Sequence, residues 1–336
     1  MKTLFKRVSL LLIAGAVIGG SVVTVPALAA TSSSTSGTTS TSANGMKVSP
    51  VRTDLTINPG SSKTIDVYIQ NVTGTKATLA VLLNDFEAGK DESGTPMLLL
   101  DGRRAPQHGL KQYITPIDNV VVQPNEQKDI KVTIRIPEGT PGGGYFGAVR
   151  FVPISSPSSD RTVTLGASVG SLILVKVPGD YKEKLSLASF DVAQGNQPGT
   201  FFTSSRDLKA VARFTNQGDV QEEPFGKVLL KKGDKTLGSY EINNTIPRGS
   251  VLPASTRRFE VPLKDAGSFG KFTLQGNFGY GSNGQLLTAS RSFYVIPVFL
   301  IIAVIVIILL ILFAIFGLPR LIRSYNKKVV SRASRR

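Results

Sequence analysis

Short motifs that could carry chemistry are few in this sequence of 336 residues. Residues 142–147 and 279–284 each have glycine at the first, third and sixth positions, the spacing of the dinucleotide-binding fingerprint. A working fingerprint lies between a strand and a helix, whose N-terminus receives the pyrophosphate. Here the first pattern opens a predicted strand and the second joins two, so we interpret both as turn glycines. Residues 71–73 and 243–245 match the N-glycosylation triplet, which matters only in a host that glycosylates exported chains.

Side chains suited to catalysis or metal binding are equally scarce. The chain has no cysteine and one histidine, which excludes thiol nucleophiles and multi-histidine metal centres. His108 has no neighbouring nucleophile motif, so we expect a solvated loop histidine. One segment contains four acids, Asp85, Glu87, Asp91 and Glu92. Calcium binding there is an open alternative, although the spacing matches no known calcium loop. We predict no cofactor, no metal and no enzymatic activity; an exported hydrolase is a weaker alternative, since no carboxylate pair is singled out.

The two ends of the chain predict export and a membrane anchor. Residues 1–29 have the basic start, apolar run and small-residue cleavage site of a secretory signal peptide, with an uncleaved anchor as the alternative. The Ser/Thr-rich residues 30–45 are a predicted flexible linker. Residues 295–318 are a predicted transmembrane helix, because an apolar run of this length crosses ~30 Å of hydrocarbon. The basic tail 319–336 is predicted to be cytoplasmic, which places the preceding domains outside the cell.

The net charge of +16 arises largely from these two ends. Ten of the 39 basic residues lie in them without any acid, which leaves 29 against 23 acids, or +6, for the exported part. This small excess removes the main argument for nucleic-acid binding. It favours weak, salt-sensitive attraction to anionic wall polymers, and plain solubility is the alternative explanation.

Between the ends, the sequence predicts β-structure. Runs such as 65–70, 130–136, 208–214 and 259–263 alternate apolar and polar residues and are bounded by Gly, Pro and Asn. Period-two patterns of this kind are typical of half-buried antiparallel strands.

The order of these strands repeats along the chain. In each half a strand ends at an asparagine, Asn71 or Asn216, and a later proline precedes another strand and a glycine-rich stretch. We therefore predict an all-β fold with two related seven-strand immunoglobulin-like β-sandwiches, residues 46–179 and 180–294. One continuous larger sandwich is the alternative.

The first half is longer than the repeat requires. The spacing from Asn71 to Pro124 is 53 residues, whereas that from Asn216 to Pro253 is 37. The excess falls near residues 88–109, which we predict to be an inserted loop. Because loops at sandwich ends commonly carry binding residues, we predict a partner-contact loop. Its predicted contact residues are Met97, Leu98, Leu99, Leu100, Arg103 and Arg104. The alternative is an extra hairpin strand packed on the domain's own core.

The predicted sandwiches contain phrases that recur in exported bacterial proteins. The first contains INPGSSKTIDVYIQN at 57–71 and VVVQPNEQKDIKVTIRIPEGTPGGGYFGAVRF at 120–151, and the second contains ARFTNQGDVQEEPFGKV at 212–228. Together with the signal peptide, the membrane span and the basic tail, they give a chain that resembles the WxL-interacting surface proteins of Gram-positive bacteria. The resemblance implies that the first domain associates with peptidoglycan and the second with WxL-type surface proteins.

From these observations we predict a non-enzymatic, single-pass protein of the bacterial cell membrane. Its predicted partners are the membrane and either a cell-wall polymer (peptidoglycan) or another surface protein, without nucleic acid or nucleotide. The alternative is a chaperone-like assembly factor for secreted or surface subunits, which receives a subunit's strand at an exposed sandwich edge.

Overall fold

The computed structural model describes residues 41–43, 45–154 and 168–323. The predicted signal peptide 1–29, residues 30–40 of the predicted linker and the tail beyond residue 323 lie outside the described residues. The first group of strands is β1 Thr41–Ala43, β2 Met46–Ser49, β3 Arg52–Thr56, β4 Ser62–Asn71, β5 Ala77–Ala88, β6 Pro96–Leu98, β7 Val120–Val122, β8 Gln127–Arg135, β9 Gly143–Pro153 and β10 Val169–Val177, with a 3₁₀ turn at Lys111–Tyr113. The second group is β11 Leu185–Gln194, β12 Gln197–Gly199, β13 Phe201–Phe202, β14 Leu208–Asn216, β15 Phe225–Lys232, β16 Lys235–Ile242, β17 Thr256–Pro262, β18 Gly270–Tyr280 and β19 Gln285–Val295.

The first group of strands forms two sheets around one apolar core. One sheet has the order β1-β2-β4-β8, and the other has the order β3-β10-β9-β5-β6, with β7 also paired to β5. In the paired strands β4 and β8, Val67 and Val132 point inward and are fully buried. The residues that precede and follow each valine along its strand are polar. Facing them across the core lie Phe151 of β9 and Ile173 of β10. Period-two alternation therefore places one face of each sheet against this core.

The second group of strands repeats this architecture with its own core. Its sheets have the orders β12-β11-β14-β17 and β13-β19-β18-β15-β16. Four fully buried phenylalanines fill the space between them, Phe214, Phe272, Phe278 and Phe293. The rings of Phe214 and Phe278 meet edge-on at a centroid distance of 5.1 Å, a favoured aromatic geometry.

The predicted repeat extends to individual hydrogen bonds. Asn71 and Asn216 end the equivalent strands β4 and β14 and are 0% and 1% exposed. Each side-chain amide donates to two backbone carbonyls, those of Thr75 and Val122 in the first sandwich and those of Val220 and Val251 in the second. Each Oδ1 accepts the backbone N–H two residues later. Asn243 is held in a similar way by Pro224 and Gly249, so the asparagine of each glycosylation triplet is engaged within the fold.

The predicted all-β fold of two sandwiches is confirmed, and the alternating runs quoted above lie on β4, β8, β14 and β17. The described strands number ten and nine rather than seven in each sandwich. Part of the excess is due to the stretch 88–109, which contributes β6. A further part arises because the chain changes sheet early in each sandwich, which divides one strand into several short ones.

The C-terminal helix differs in its bounds from the prediction of 295–318. α1 spans Val298–Leu312 and continues through a π-helical turn at Phe313–Gly317 to Arg323. Val295 instead ends β19 and is fully buried, because its side chain fills the second core. Pro297 caps the helix, where its missing N–H breaks no helical hydrogen bond. Among the described residues, this is the one helix long and apolar enough to cross a membrane, and none of its side chains is buried.

Candidate functional site

The predicted inserted loop forms a hairpin whose tip contacts the second sandwich. Strand β6 pairs with the end of β5, and we call residues 88–96, at the tip of this hairpin, the clasp. The carbonyl of Glu92 accepts the backbone N–H of Arg258 in β17 at 2.8 Å. The carboxylate of Glu92 also accepts a hydrogen bond from Nε of Arg213 at 2.7 Å. Part of the predicted partner-contact segment thus binds within the chain itself.

The six residues of the predicted partner-contact loop are not equally available. Leu99 is 6% exposed, and Leu98 packs against the buried cluster around Phe86 and Phe146. Strand β6 therefore matches the alternative of an extra hairpin strand. The remaining four side chains are exposed, namely Met97, Leu100, Arg103 and Arg104. Partner contact through these four stays a prediction.

A groove of about 640 Å³ lies between the clasp and the second sandwich. Phe86, Phe146 and Leu252 contribute its apolar wall, and Leu252 belongs to the second sandwich. His108 borders the groove and, contrary to the expected solvated loop histidine, is anchored there. Its Nδ1 lies 2.7 Å from the carbonyl of Gly144, which can only accept a hydrogen bond, so Nδ1 is the donor.

The other side of the junction between the sandwiches is polar. Arg52 of β3 bonds to Glu223 of the second sandwich at 2.6 Å and to the carbonyl of Arg248 at 2.9 Å. Lys176 and Glu183 pair at 2.9 Å beside a second cavity of about 470 Å³. Together with the clasp, these contacts hold the two sandwiches in one orientation.

Glu222 is the most perturbed acid at this junction. It is 3% exposed and lines the second cavity, and its Oε1 has no hydrogen-bond partner among the described residues. The pKa of Glu222 is raised to about 7, first by burial and then by the neighbouring Glu183 carboxylate. The neighbouring Glu183 is itself engaged by Lys176 and Ser282, so we interpret Glu222 as a junction residue.

The acidic segment 85–92 does not gather its carboxylates. Asp85 is 2% exposed and accepts the backbone N–H groups of Ala105 and Lys111, at 3.1 and 2.7 Å. It therefore fixes the stretch that follows β6, while Glu92 faces the second sandwich. Within the described parts of the chain, no group of three or more acidic or histidine side chains is placed to hold a metal ion.

The two glycine patterns take strand and turn positions. In the second, Gly281 and Gly284 have φ of +70° and +66° in the turn between β18 and β19, as expected for turn glycines. In the first, Gly147 has another role. A Cβ there would lie 2.9 Å from Cβ of Leu110, so glycine permits the close approach of the neighbouring segment.

Within the described residues, one side of β19 is unpaired over most of its length. This strand pairs with β18 along its whole length, but on the other side it meets only β13, at Tyr294 and Val295. Within the described residues, no backbone group pairs with that side between Gln285 and Phe293. We call this side of residues 285–293 the open edge. At ~3.3 Å per residue it is about 30 Å long.

The direction of the free backbone groups follows from the ladder. The N–H of Tyr294 points away from β18, because it donates to the carbonyl of Thr200. Backbone groups alternate along an antiparallel strand, and the pairing with β18 has no register shift. The N–H and C=O groups that point outward therefore belong to Leu286, Thr288, Ser290 and Ser292.

The first sandwich covers part of the corresponding edge. Val177 of β10 and Val295 of β19 each pair with the first residue of the preceding strand, Gly143 or Gly270. On this alignment, residues 172–176 of β10 correspond to 290–294 of β19. In β10 these residues pair in parallel with β3, whereas in β19 only Tyr294 has a strand partner on the side away from β18.

The local sequence explains the difference. In the first sandwich Pro50 follows β2, and since proline cannot donate to the ladder, the chain leaves β4 and crosses to β10 as β3. In the second sandwich β11 contains no proline and stays on β14 from Leu185 to Gln194, with a bulge beside Ala188. The chain reaches β19 only at Phe201, which leaves the open edge without a partner.

The side chains along the open edge suit a further strand. Leu287 and Ala289 point toward the core but are only partly buried, and Leu286 is 67% exposed. Arg291 carries the one charge between residues 285 and 293, and it pairs across the gap with Asp191 of β11 at 3.6 Å. A guest strand would complete the burial of Leu287 and Ala289.

Two other sheet edges are protected. The clasp binds Arg258 of β17, and Pro262 ends that strand without an N–H to offer. Strand β8 carries the exposed charges Asp129, Lys131 and Arg135. Charged edges and prolines of this kind prevent unwanted pairing. The sequence predicted an exposed edge in general but did not locate it. The signal that could have located it is a difference between the two halves: segment 46–56 is interrupted by a proline, whereas the equivalent strand 185–194 contains none.

Comparison with known proteins finds similar folds only. No family model and no curated protein matches the sequence. Among solved structures, the class 5 fimbriae chaperone CfaA is 11% identical over 75% of this chain and 99% of its own, with a TM-score of 0.36. The E. coli chaperone DraB is 14% identical over 74% and 96%, with a TM-score of 0.33. The structure of the Salmonella enterica SafA pilin in complex with the SafB chaperone is 12% identical over 76% of this chain and 98% of its own, with a TM-score of 0.33. With TM-scores below 0.5, these likenesses carry no argument about the function of this chain.

Proposed function

We propose that this chain is a non-enzymatic, membrane-anchored protein that binds an extended segment of another exported protein by strand addition at the open edge. The observation that carries the proposal is the unpaired side of β19, whose counterpart in the first sandwich is covered by β3 over the residues that correspond to 290–294. The proposal takes up the assembly-factor alternative and keeps the surface-protein partner that the resemblance to WxL-interacting proteins implies.

The chemistry of such binding is that of a β-ladder. The guest backbone would exchange hydrogen bonds with Leu286, Thr288 and Ser290, which supplies affinity without regard to sequence. Alternate apolar side chains of the guest would pack on Leu287 and Ala289, which supplies selectivity. An extended segment with apolar residues at every second position is therefore the partner that fits.

The helix 298–323 would anchor the chain in the cell membrane, with the tail in the cytoplasm as the basic flank predicts. The sandwiches would then stand on the outer side and meet secreted or surface subunits there. Their fixed orientation at the junction would keep the open edge at a constant position relative to the membrane.

The test is site-specific photocrosslinking of the full chain in living cells. A benzophenone amino acid replaces Thr288 on the open edge, and a second chain carries it at Lys131 on the charged edge of β8 as the position control. We expect adducts with a polypeptide from position 288, mapped to one extended segment with alternating apolar residues.

A proline variant separates strand addition from general contact. Ser290→Pro removes an outward N–H and spares the ladder with β18, whereas the matched control Ser290→Ala keeps that N–H. The proline variant should lose the 288 adduct and the alanine variant should retain it. Adducts that contain only glycan, or that survive Ser290→Pro in a chain with unchanged thermal stability, would overturn the proposal.

A further inference from the structure

Only a short connection separates the end of the second sandwich, where β19 stops, from the start of the helix α1. Val295 is buried in the core, and the next residue, Ile296, donates its N–H to the carbonyl of Phe202 at 2.8 Å. Pro297 already caps the helix and accepts the N–H of Leu300. Two residues span at most about 7 Å, so this end of the sandwich lies next to the first turn of the helix.

Strand register identifies the loops that share this end. Gly270, the first residue of β18, lies opposite Val295, so the loop 263–269 is placed there. Lys231 of β15 lies opposite Thr273, which brings the turn between β15 and β16 to the same side. We call residues 201, 231–235 and 264–271 the membrane-facing end.

Two large aromatic side chains are exposed at the membrane-facing end. Phe201 is 70% exposed, and its ring stacks on Tyr294 at a centroid distance of 5.1 Å. Phe269 is 54% exposed at the tip of its loop. Exposed aromatic rings beside the start of an apolar helix are the arrangement found where side chains enter the interfacial layer of a bilayer.

The same end is basic. It contains five lysines and two aspartates: Lys231, Lys232, Lys235, Lys264, Lys271, Asp234 and Asp265. None of these lysines forms an ion pair with a described acid, and Asp265 instead accepts the hydroxyl of Tyr240 at 2.7 Å. Nζ of Lys232 donates to the carbonyl of Phe269 at 3.0 Å, so a charge and an aromatic tip are held together.

We infer that the membrane-facing end of the second sandwich lies on the bilayer and binds the headgroups of anionic lipids, with Phe201 and Phe269 in the interfacial layer. This inference rests on the membrane anchor of the proposed function. Lysines near a negatively charged leaflet are attracted to its headgroups, and the two aromatic side chains add apolar burial. The contact orients the open edge, since β19 runs directly away from this end.

The test uses the full chain in lipid nanodiscs. Because the chain has no cysteine, Ser268→Cys gives one labelling site on the exposed loop, and Gln127→Cys gives a control site in the first sandwich. The probe is quenching of an attached fluorophore by lipids that carry nitroxide at the headgroup. We expect quenching at 268 and not at 127, with stronger quenching in discs containing phosphatidylglycerol than in pure phosphatidylcholine.

Charge reversal tests the role of the lysines. Lys232→Glu, Lys264→Glu and Lys271→Glu together should lower quenching at 268 by roughly half or more in anionic discs. The matched control reverses Lys47, Lys63 and Lys76 on the first sandwich and should leave it unchanged. A chain that inserts into discs without quenching at 268, or equal effects of the two triple variants, would overturn the inference alone. A chain that fails to insert would overturn the anchor, and the crosslinks at 288 would still test strand addition.

Discussion

At the scale of single residues, two buried asparagines show how the repeat is built. Asn71 and Asn216 are almost inaccessible, and each amide nitrogen donates to two carbonyls. Replacing that nitrogen by a carboxylate oxygen leaves two buried carbonyls unpaired and facing a charge.

We therefore expect Asn71→Asp and Asn216→Asp each to lower the free energy of unfolding by about 3 kcal/mol. The exposed Asn196→Asp serves as the control and should change it by less than ~0.5 kcal/mol. Chemical denaturation of the three variants is the measurement. Equal free energies of unfolding for all three variants would show that the hydrogen bonds of the two asparagines do not stabilise the fold.

The raised pKa of Glu222 predicts that the stability of the fold depends on pH. Its pKa is about 7 in the fold against an ordinary value of 4.5, because it is buried beside Glu183, with Glu223 adding to the rise and Lys176 opposing it. The folded chain therefore binds the proton more tightly, and stability is greatest below pH ~4.5 and falls as the pH rises through 7.

The variant Glu222→Gln should remove this term. We expect it to be more stable than the parent at pH 8 by about 2 kcal/mol, after allowance for screening by the adjoining cavity, and about equal at pH 4.5. Thermal unfolding at the two values measures it. A stability difference that does not change between the two pH values contradicts this account of Glu222.

At the scale of elements, the clasp and the cluster around Leu252 fix the sandwiches to each other. The ion pair between Glu92 and Arg213 is about one-third exposed on both sides, so it contributes at most ~1 kcal/mol by itself. The backbone bond from Arg258, the packing of Leu252 on Phe86 and Phe146, and the polar contacts of Arg52 also join the two sandwiches.

Shortening the clasp should loosen the junction. Replacing residues 89–95 by Asn-Gly keeps the β5–β6 hairpin but removes the contacts to β17. Spin labels at Lys63→Cys and Ser239→Cys should then give a wider distance distribution, whereas Glu92→Gln should widen it less. An unchanged distribution in the shortened chain would assign the rigidity to the polar contacts of Arg52 instead.

At the scale of the whole molecule, the open edge lies on the strand that leads directly into the helix. Strand β19 carries the open edge and enters the helix after two residues, so a guest strand would lie at a set angle to the bilayer. Binding by strand addition depends on backbone hydrogen bonds and apolar burial, whereas diffuse attraction by a net charge of +6 depends on ionic strength.

Salt distinguishes these two modes. The crosslink yield at position 288 should stay nearly constant when permeabilised cells are moved from low to high salt, since the open edge carries only Arg291. Co-sedimentation of the full chain with isolated cell walls should fade over the same range if it is purely electrostatic. A 288 adduct that disappears with salt would contradict strand addition.

The sequence by itself determined the strands, the repeat and the apolar helix, because these depend on local periodicity and on residue types near one another in the chain. Alternation along β4 and β8, the asparagines at 71 and 216 and the uninterrupted apolar run all fall in this class. The helix boundary was missed by three residues because Val295 is apolar for a different reason, as part of the second core.

Only the tertiary structure decided where the inserted stretch goes and which edge is left open. Residues 97–100 have the same apolar pattern whether they meet a partner or their own domain, and Glu92 meets Arg213 only after the sandwiches are packed. An unpaired strand edge is likewise a property of what lies beside it. Within the described residues, β3 covers part of β10 and no strand covers the corresponding part of β19, because the chain leaves its first sheet at Pro50 but has no such break in β11. Pairing over more than a hundred residues of separation has no local signature, so it appears only when the strands are in place.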